Sequence, residues 1–360
     1  MLLRHLHRGH SLARLHHGDD RDYRDHRHRL APCSGGLDAV QPDISVVIPA
    51  HNERSRIAST IHNIARARTS GARVEFVVVD DASTDGTIAN LVSALPRLLD
   101  EPEIDIRVES LDHQSGNYHA RNRGAEVAAA PILFMTDAHV EFSPGWDDLV
   151  LRHIRPNRIL AGTTVQRGTG FRSSGCKLAI PRMGTIWNEP DERTAEDTGP
   201  ASSRSTPLQI ANCHATVIDR NLFLSLGGYD TGMLLYGGGV PEFSVRAWTR
   251  GAEIYSVPGL EVTHEFKSRD QFAAFLYSIR HFWVHNCLRF ALLYRSELGC
   301  LQVLQHYSQA HPEEFQEALR LLEQSDVWER RAWLEKHQRR SFDWFIGHFG
   351  IRDEAGHAVV

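Results

Sequence analysis

The chain has 360 residues, of which 41% are hydrophobic, and this is enough for one large α/β domain with appendages or for two domains. Its 40 basic and 45 acidic residues give a net charge of −5, which offers no electrostatic case for nucleic acid or an anionic membrane as the main partner. No apolar run reaches the ~20 residues of a transmembrane helix. The five cysteines are widely spaced and form no CxxC pair, which predicts a protein of the reducing cytoplasm.

The first 40 residues differ from the rest of the chain. They are crowded with arginine and histidine and lack the apolar core of a signal peptide. We expect either a disordered arm or a start codon assigned too far upstream. A histidine-rich tract can also bind metal adventitiously.

Two runs of β-branched residues, 44–50 and 74–79, predict strands buried on both faces of a parallel sheet. A helix follows each run. The apolar positions of these two helices are Ile57, Ile61, Ile64 and Ala65 in the first, and Ile88, Leu91, Val92 and Leu95 in the second. This alternation of strand and helix predicts right-handed crossovers, with ligands bound beyond the carboxyl ends of the strands.

Several polar residues fall just beyond predicted strand ends. They are Asn52, Glu53, Asp80, Asp81, Asp137 and His139. The last two follow a short apolar strand at 132–135, where a carboxylate and an imidazole could bind one divalent cation of the Mn²⁺ type. The alternative is a strand-end turn with a solvated histidine.

Between these strand ends, residues 104–108 predict an outer strand and residues 116–130 an alanine-rich helix. Arg121 and Arg123 near the start of that helix could meet a phosphate or a base. They could equally lie on a solvated helix face.

The second half of the chain predicts shorter elements. Helices are expected at 144–152, 219–226 and 242–248, and strands at 158–165, 208–218, 253–257 and 260–263. Residues 166–207 predict a functional loop or a disordered insert. From Asp270 onward the pattern is helical, and the aromatic residues of the first helix predict packing against the preceding domain rather than a sugar platform.

Four sequence blocks, in this order, resemble the family 2 glycosyltransferases of the GT-A fold. They are VVIPAHNE, VVVDDASTDGT, ARNRGAEVAAAPILFMTDAH and GGYD…EFSVRAW, and together they span about residues 43–267. The resemblance implies an α/β fold with a mostly parallel, Rossmann-like sheet. We therefore expect a GT-A domain at 41–268 and a helical extension at 269–360.

The resemblance also implies how a nucleotide-sugar donor is held. Asp81, with Asp80 as the alternative, would contact the base, while Arg121 or Arg123 would contact the base or the diphosphate. The first block would add three donor contacts at Ala50, Asn52 and Glu53.

The metal motif Asp137-Ala138-His139 looks like the Asp-x-His of the polypeptide N-acetylgalactosaminyltransferases, which bind Mn²⁺ with a distant third histidine. His264, in VTHEF, matches that third position. A divalent cation of this kind, Mn²⁺ or Mg²⁺, neutralises charge on the departing diphosphate.

The general base is the point where the resemblance fails. Inverting members carry an acid just before the ELSxR helix, and the N-acetylgalactosaminyltransferases carry Trp-Gly-Gly-Glu there, whereas this chain has Tyr236-Gly237-Gly238-Gly239. Three explanations stay open. In the first, Pro241 brings Glu242 into the site. In the second, the reaction proceeds with retention and needs no enzymic base. In the third, the protein binds a sugar nucleotide without transferring it.

The sequence thus predicts a metal-dependent glycosyltransferase using a nucleotide-sugar donor, with a UDP-sugar as the expected donor. A silent sugar-nucleotide binding protein and a nucleotidyltransferase are the alternatives. The acceptor could be a peptide, a glycan or a small molecule, and His119, Trp187 and His214 are candidates to line its site.

Overall fold

The structure is a computed structural model that describes residues 41–98, 103–188 and 205–359. The arm expected at residues 1–40 therefore lies outside the described residues. Within them, nine strands form one mixed sheet, and β8 and β9 form a separate hairpin. The strands are β1 (Ile44–Ala50), β2 (Val74–Asp80), β3 (Ile104–Ser110), β4 (Ile132–Met135), β5 (Val140–Phe142), β6 (Arg158–Val165), β7 (Arg172–Ser174), β8 (Cys176–Ala179), β9 (Gly184–Trp187), β10 (Thr216–Asp219) and β11 (Glu253–His264).

The strand order of the main sheet is β3-β2-β1-β4-β10-β6-β11-β5, with β7 beside β6. Strands β1 to β4 pair in parallel, as their apolar sequences predict. β10 is antiparallel to both β4 and β6, while β11 is parallel to β6. The carboxyl ends of β4, β6 and β11 and the amino end of β10 therefore meet at one edge of the sheet.

Helices cover both faces of the sheet. They are α1 (Ile57–Arg66), α2 (Thr87–Leu98), α3 (Asn117–Val127), α4 (Trp146–His153), α5 (Arg220–Ser225), α6 (Gly239–Thr249), α7 (Arg269–Tyr294), α8 (Glu297–Ala310), α9 (Pro312–Glu323), α10 (Val327–His337) and α11 (Phe342–Phe349). Apolar residues of α1, α2 and α4 form one core against the sheet, and residues of α3, α6 and the C-terminal helices form the core on the other face. This arrangement is the three-layer GT-A architecture that the sequence predicted.

The C-terminal helices begin at Arg269, next to the predicted domain boundary. Their buried side chains share one core cluster with residues of β1, β2 and β4. The core of the helical extension is therefore continuous with that of the sheet, and the division of the chain at residue 268 stays a prediction. No helix among the described residues is both long and apolar enough to cross a membrane.

Three local predictions were wrong. The predicted strand at 208–218 is irregular until Thr216, where β10 starts. The predicted loop at 166–207 contains β7, β8 and β9 in its described part. The aromatic half of α7 is also more open than expected, since Phe272 is 40% and Tyr277 73% exposed. That half of the helix extends beyond the core, so only its later residues pack against it.

Candidate metal and nucleotide site

Three metal-ligating side chains meet at the sheet edge where β4, β10, β6 and β11 lie side by side. Asp137 follows β4, His214 precedes β10 and His264 ends β11. One candidate ligand atom from each lies within 4.8 Å of the other two. The topology explains this proximity, because parallel β4 and β11 end at the edge where antiparallel β10 begins.

Asp137 is held in place by Arg121. The fully buried Arg121 donates from Nη2 to Asp137 Oδ1 and from Nη1 to the carbonyl of Cys213 at 2.6 Å. Asp137 Oδ2 is left to face His264 Nε2 at 3.4 Å. Burial acts to raise the pKa of Asp137, but the Arg121 charge and the His264 hydrogen bond outweigh it and hold the pKa well below its usual range. Asp137 is therefore an anion at neutral pH.

This contact corrects the expectation for Arg121. The guanidinium does not reach a base or a diphosphate, because it lies inside the protein and orients a candidate metal ligand. Arg123 pairs with Glu109 at 2.7 Å and with Glu126 at 3.7 Å, and its contact with a donor stays a prediction.

His139 lies beside His264, with ring centroids 4.8 Å apart. Its Nδ1 lies 2.9 Å from Glu53 Oε1. Burial acts to lower the pKa of His139, but the Glu53 hydrogen bond and the charge of Asp137 raise it on balance. A histidine whose Nδ1 donates to a carboxylate presents Nε2 as the ligand atom, which is the usual arrangement around metals. Glu53, expected at the nucleotide, thus contacts His139 instead.

His214 is the residue whose position the sequence did not reveal. It was expected only as a possible acceptor contact, yet it is 2% exposed and its Nδ1 lies 4.0 Å from Asp137 Oδ2. Burial lowers the pKa of His214 to about 3, so the imidazole is neutral. No spacing rule marks this histidine, because its place depends on the antiparallel insertion of β10.

The donor set fits a divalent transition metal. It offers one carboxylate oxygen and imidazole nitrogens, the ligands that such metals accept. His264 Nδ1 is buried without a hydrogen-bond partner among the described residues, so this nitrogen is an orphaned polar atom at the site. Of the three predicted ligands, Asp137 and His264 belong to this converging group, whereas His139 lies outside it and stands beside the His264 ring. Arg121 orients Asp137, and Glu53 orients His139.

The loops after β1 and β2 form the side expected for the nucleotide. Ala50 accepts the backbone N–H of Asp81 at 2.8 Å. Asn52 has a left-handed backbone with φ of 58°, which asparagine tolerates, and its side chain accepts the N–H of Thr84 at 2.9 Å. These hydrogen bonds join the loop after β1 to the loop after β2.

The two aspartates of this loop have different surroundings. Both oxygens of Asp81 accept backbone N–H groups, from Ser115 at 2.7 Å and Gly116 at 2.9 Å. Asp80 accepts a longer bond of 3.3 Å from the N–H of Ser83. Asp81 therefore fixes the turn before α3. The Asp80 carboxylate is held by a longer hydrogen bond than either of those to Asp81.

Glu242 does not have the surroundings of a general base. It is fully buried, and its carboxylate accepts both Arg246 Nε at 2.9 Å and Arg246 Nη2 at 2.8 Å. Tyr294 donates to the same carboxylate at 2.8 Å. The structure thus contradicts the expectation that Pro241 brings this side chain into the site.

An acid does not fit at Gly239 either. A Cβ at this position would lie 2.4 Å from Tyr118 Cζ, closer than real contacts allow. This region therefore has no counterpart of the acid before the ELSxR helix, and none of the glutamate in Trp-Gly-Gly-Glu.

An open cleft of about 520 Å³ lies beside the candidate metal ligands. Its lining includes Arg56, Asn63, His139, His264 and Phe266. Trp187, expected near the acceptor, is 36% exposed and lies close to this region, 6.2 Å from the Phe266 ring.

His119 was a further acceptor candidate. Its Nε2 lies 3.2 Å from the Thr231 carbonyl, and it is not part of the cleft lining.

The sequence of this chain is similar to those of known proteins. Residues 45–204 match the family model Glycosyl transferase family 2. Human polypeptide N-acetylgalactosaminyltransferase 16 is 27% identical over 337 residues, which are 91% of this chain and 56% of that protein. Drosophila melanogaster polypeptide N-acetylgalactosaminyltransferase 3 is 27% identical over 338 residues, which are 91% of this chain and 48% of that protein.

A solved structure shares the fold. It is the crystal structure of GalNAc-T7 with UDP, GalNAc and Mn²⁺, which superposes with a TM-score of 0.68 at 20% identity and covers 87% of this chain and 57% of that one. At this identity the likeness establishes the GT-A fold. The chain spans about half the length of the curated relatives that it matches.

Proposed function

We propose that this chain, a family 2-like glycosyltransferase of the GT-A fold, moves a sugar from a nucleotide-sugar donor to an acceptor in a metal-dependent reaction. The observation that carries the proposal is the placement of Asp137 Oδ2 3.4 Å from His264 Nε2 at the carboxyl edge of the sheet. Ligands of open α/β sheets bind at this edge.

Asp137, His139 and His264 would hold Mn²⁺ or Mg²⁺. Such a cation, when bound, neutralises negative charge on the diphosphate of the donor. The protein contributes the orientation of the ligands, since Arg121 fixes the Asp137 carboxylate and Glu53 fixes the His139 ring. Mn²⁺ is our preferred ion because imidazole ligands suit it better than Mg²⁺.

We propose a UDP-sugar as the donor, with the base bound between the loops after β1 and β2. The supporting observation is that hydrogen bonds already join these loops at Asn52 and Thr84. We prefer the Asp80 carboxylate as the contact to the base, because the protein holds it by a longer hydrogen bond than those to Asp81. UDP-GalNAc is the first donor to test, because the relatives and the solved structure carry this sugar in their names.

We further propose that the reaction retains the configuration of the sugar. Glu242 is sequestered by Arg246 and Tyr294, and Gly239 has no room for a larger side chain. In a retaining transfer the bond from the anomeric carbon to the phosphate oxygen breaks as the acceptor oxygen bonds to that carbon. The acceptor proton can then pass to the departing phosphate, so no carboxylate of the protein is required.

The same observation favours a second candidate, a protein that binds a sugar nucleotide without transferring it. It would retain metal-dependent UDP binding and lack turnover with every donor and acceptor. The sequence hypothesis of a nucleotidyltransferase gains no support from the structure.

The cytoplasm is our proposed compartment. The four cysteines in the described part of the chain, Cys176, Cys213, Cys287 and Cys300, are all free thiols. The acceptor would bind in the cleft beside Phe266 and Trp187, whose rings offer apolar surface.

Release of UDP from a panel of UDP-sugars, with Mn²⁺ and with a chelator, tests this function. We expect the chelator to abolish release, and Asp137→Ala and His264→Ala each to lower it about a hundredfold, as loss of an electrostatic stabiliser does. Asp148→Ala and His153→Ala on α4 are matched controls that should retain activity. Full activity in both ligand variants would overturn the proposal, and metal-dependent UDP binding without turnover would favour the second candidate.

A further inference from the structure

The segment before β10 contributes a histidine that lies outside the predicted metal motif. His214 is buried at the edge where β4, β10 and β6 meet. Among the residues that the structure describes, Asp137, His214 and His264 are the group of acidic, cysteine or histidine side chains whose ligand atoms converge within 4.8 Å. The convergence therefore includes a residue that the Asp-x-His pattern does not require.

The distances suit a shared cation. His214 Nδ1 lies 4.0 Å from Asp137 Oδ2, and the rings of His214 and His264 have centroids 4.6 Å apart. Metal bonds of about 2.1 Å place neighbouring ligand atoms about 3.0–3.4 Å apart, so small side-chain movements suffice to bring these atoms into one coordination shell.

The far side of the His214 ring is held as metal-binding imidazoles usually are. His214 Nε2 lies 2.8 Å from Thr164 Oγ1, and Asn212 Nδ2 donates to that same hydroxyl at 2.6 Å. Such a contact holds the ring, and when Nε2 donates to the hydroxyl the opposite nitrogen is left for the metal. Here the opposite nitrogen is Nδ1, which faces Asp137.

The nearest competing partner is the Cys213 thiol. Its Sγ lies 3.6 Å from His214 Nδ1 and 3.9 Å from Asp137 Oδ2. Both distances are long, and a thiol is only a weak hydrogen-bond donor. It can turn away from Nδ1 without losing a strong hydrogen bond.

We infer that His214 is a ligand of the metal centre, which thereby holds one carboxylate and three imidazoles. The inference rests on the proposed function because it shares Asp137, His139 and His264 with that site. These four residues would hold the ion, and the ion would neutralise charge on the oxygens of a diphosphate. The additional imidazole favours a transition-metal ion over Mg²⁺, so the chain should bind Mn²⁺ in the absence of nucleotide.

The first test counts imidazoles without any variant. Pulsed electron paramagnetic resonance of the full chain loaded with Mn²⁺ alone should show couplings from three histidine nitrogens. Couplings from two would overturn the inference.

The second test measures Mn²⁺ affinity from the signal of the free ion. His214→Gln should bind at least tenfold more weakly than the parent, while His153→Gln, on the surface of α4, should bind equally. Thr164→Val should weaken binding and Thr164→Ser should restore it, because only the hydroxyl orients the ring. Cys213→Ser should leave the affinity unchanged.

The outcomes separate this inference from the proposed function. Unchanged Mn²⁺ affinity in His214→Gln together with metal-dependent transfer by the parent overturns the inference alone. Weakened affinity without transfer by the parent overturns the function alone. Absence of Mn²⁺ binding by the parent overturns both. Should His214→Gln not fold, the Thr164 pair and the nitrogen count decide the question.

Discussion

Replacing Glu242 with glutamine should destabilise the fold and leave the chemistry of the folded molecules unchanged. Glu242 and Arg246 are both fully buried, and two hydrogen bonds join them, with a third bond from Tyr294. The variant leaves the Arg246 charge without its counter-ion in the core. Breaking a buried pair in this way costs about 3–5 kcal/mol.

A loss of unfolding free energy of this size is measurable by thermal unfolding as well as by denaturant unfolding. At about 2 °C per kcal/mol for a chain of this length, the midpoint of thermal unfolding should fall by about 6–10 °C. Glu253→Gln, on β11, is the matched control and should change the free energy of unfolding by less than ~1 kcal/mol. UDP release is then compared per folded molecule, well below the unfolding temperature of the variant.

The opposite pattern would refute this interpretation. A Glu242→Gln protein that unfolds like the parent and loses activity about a hundredfold would identify Glu242 as the general base, since such a loss is typical of removing one. The retaining mechanism would then lose its main support.

Further predictions concern other parts of the structure. Glu53→Gln should weaken Mn²⁺ binding about tenfold, because Glu53 orients the His139 ring; an unchanged affinity in a metal titration would contradict this role. Gly239→Glu should not create a catalytic acid, and should lower stability by about 1–3 kcal/mol in urea unfolding because its Cβ meets Tyr118; a stable, more active variant would disprove it. Burial lowers the pKa of His285 to about 4, so between pH 6.5 and 4 the unfolded chain takes up a proton that the folded chain does not. Unfolding free energy should therefore fall as the pH falls through this window, and His285→Gln should show a shallower fall across the same pH series.

The parts of the fold that the sequence predicted are those with local signals. β1 and β2 are buried on both faces, so their apolar runs show directly. Asp137 could be placed at a strand end for the same reason. Linking it to His264 required the resemblance, because β10 and β6 separate their strands in the sheet.

The surroundings of the site depend on tertiary contacts that have no local signature. Arg121 and Arg123 lie two positions apart on α3, yet one is buried against Asp137 and the other pairs with Glu109 near the surface. The helix pattern alone could not tell them apart. The sequence did not reveal the position of His214 for a related reason. His214 lies two positions before β10, and the antiparallel direction of β10 brings it to the sheet edge where Asp137 and His264 lie.

The mixed order of the sheet has a consequence for how the protein is made. Asp137 leaves the ribosome long before His264, and the two meet only after β10, β6 and β11 have taken their places beside β4. Pairings between segments so distant in sequence are among the slow steps of folding. A nascent or truncated chain that lacks β11 also lacks His264, so the proposed metal site cannot be complete before β11 has joined the sheet.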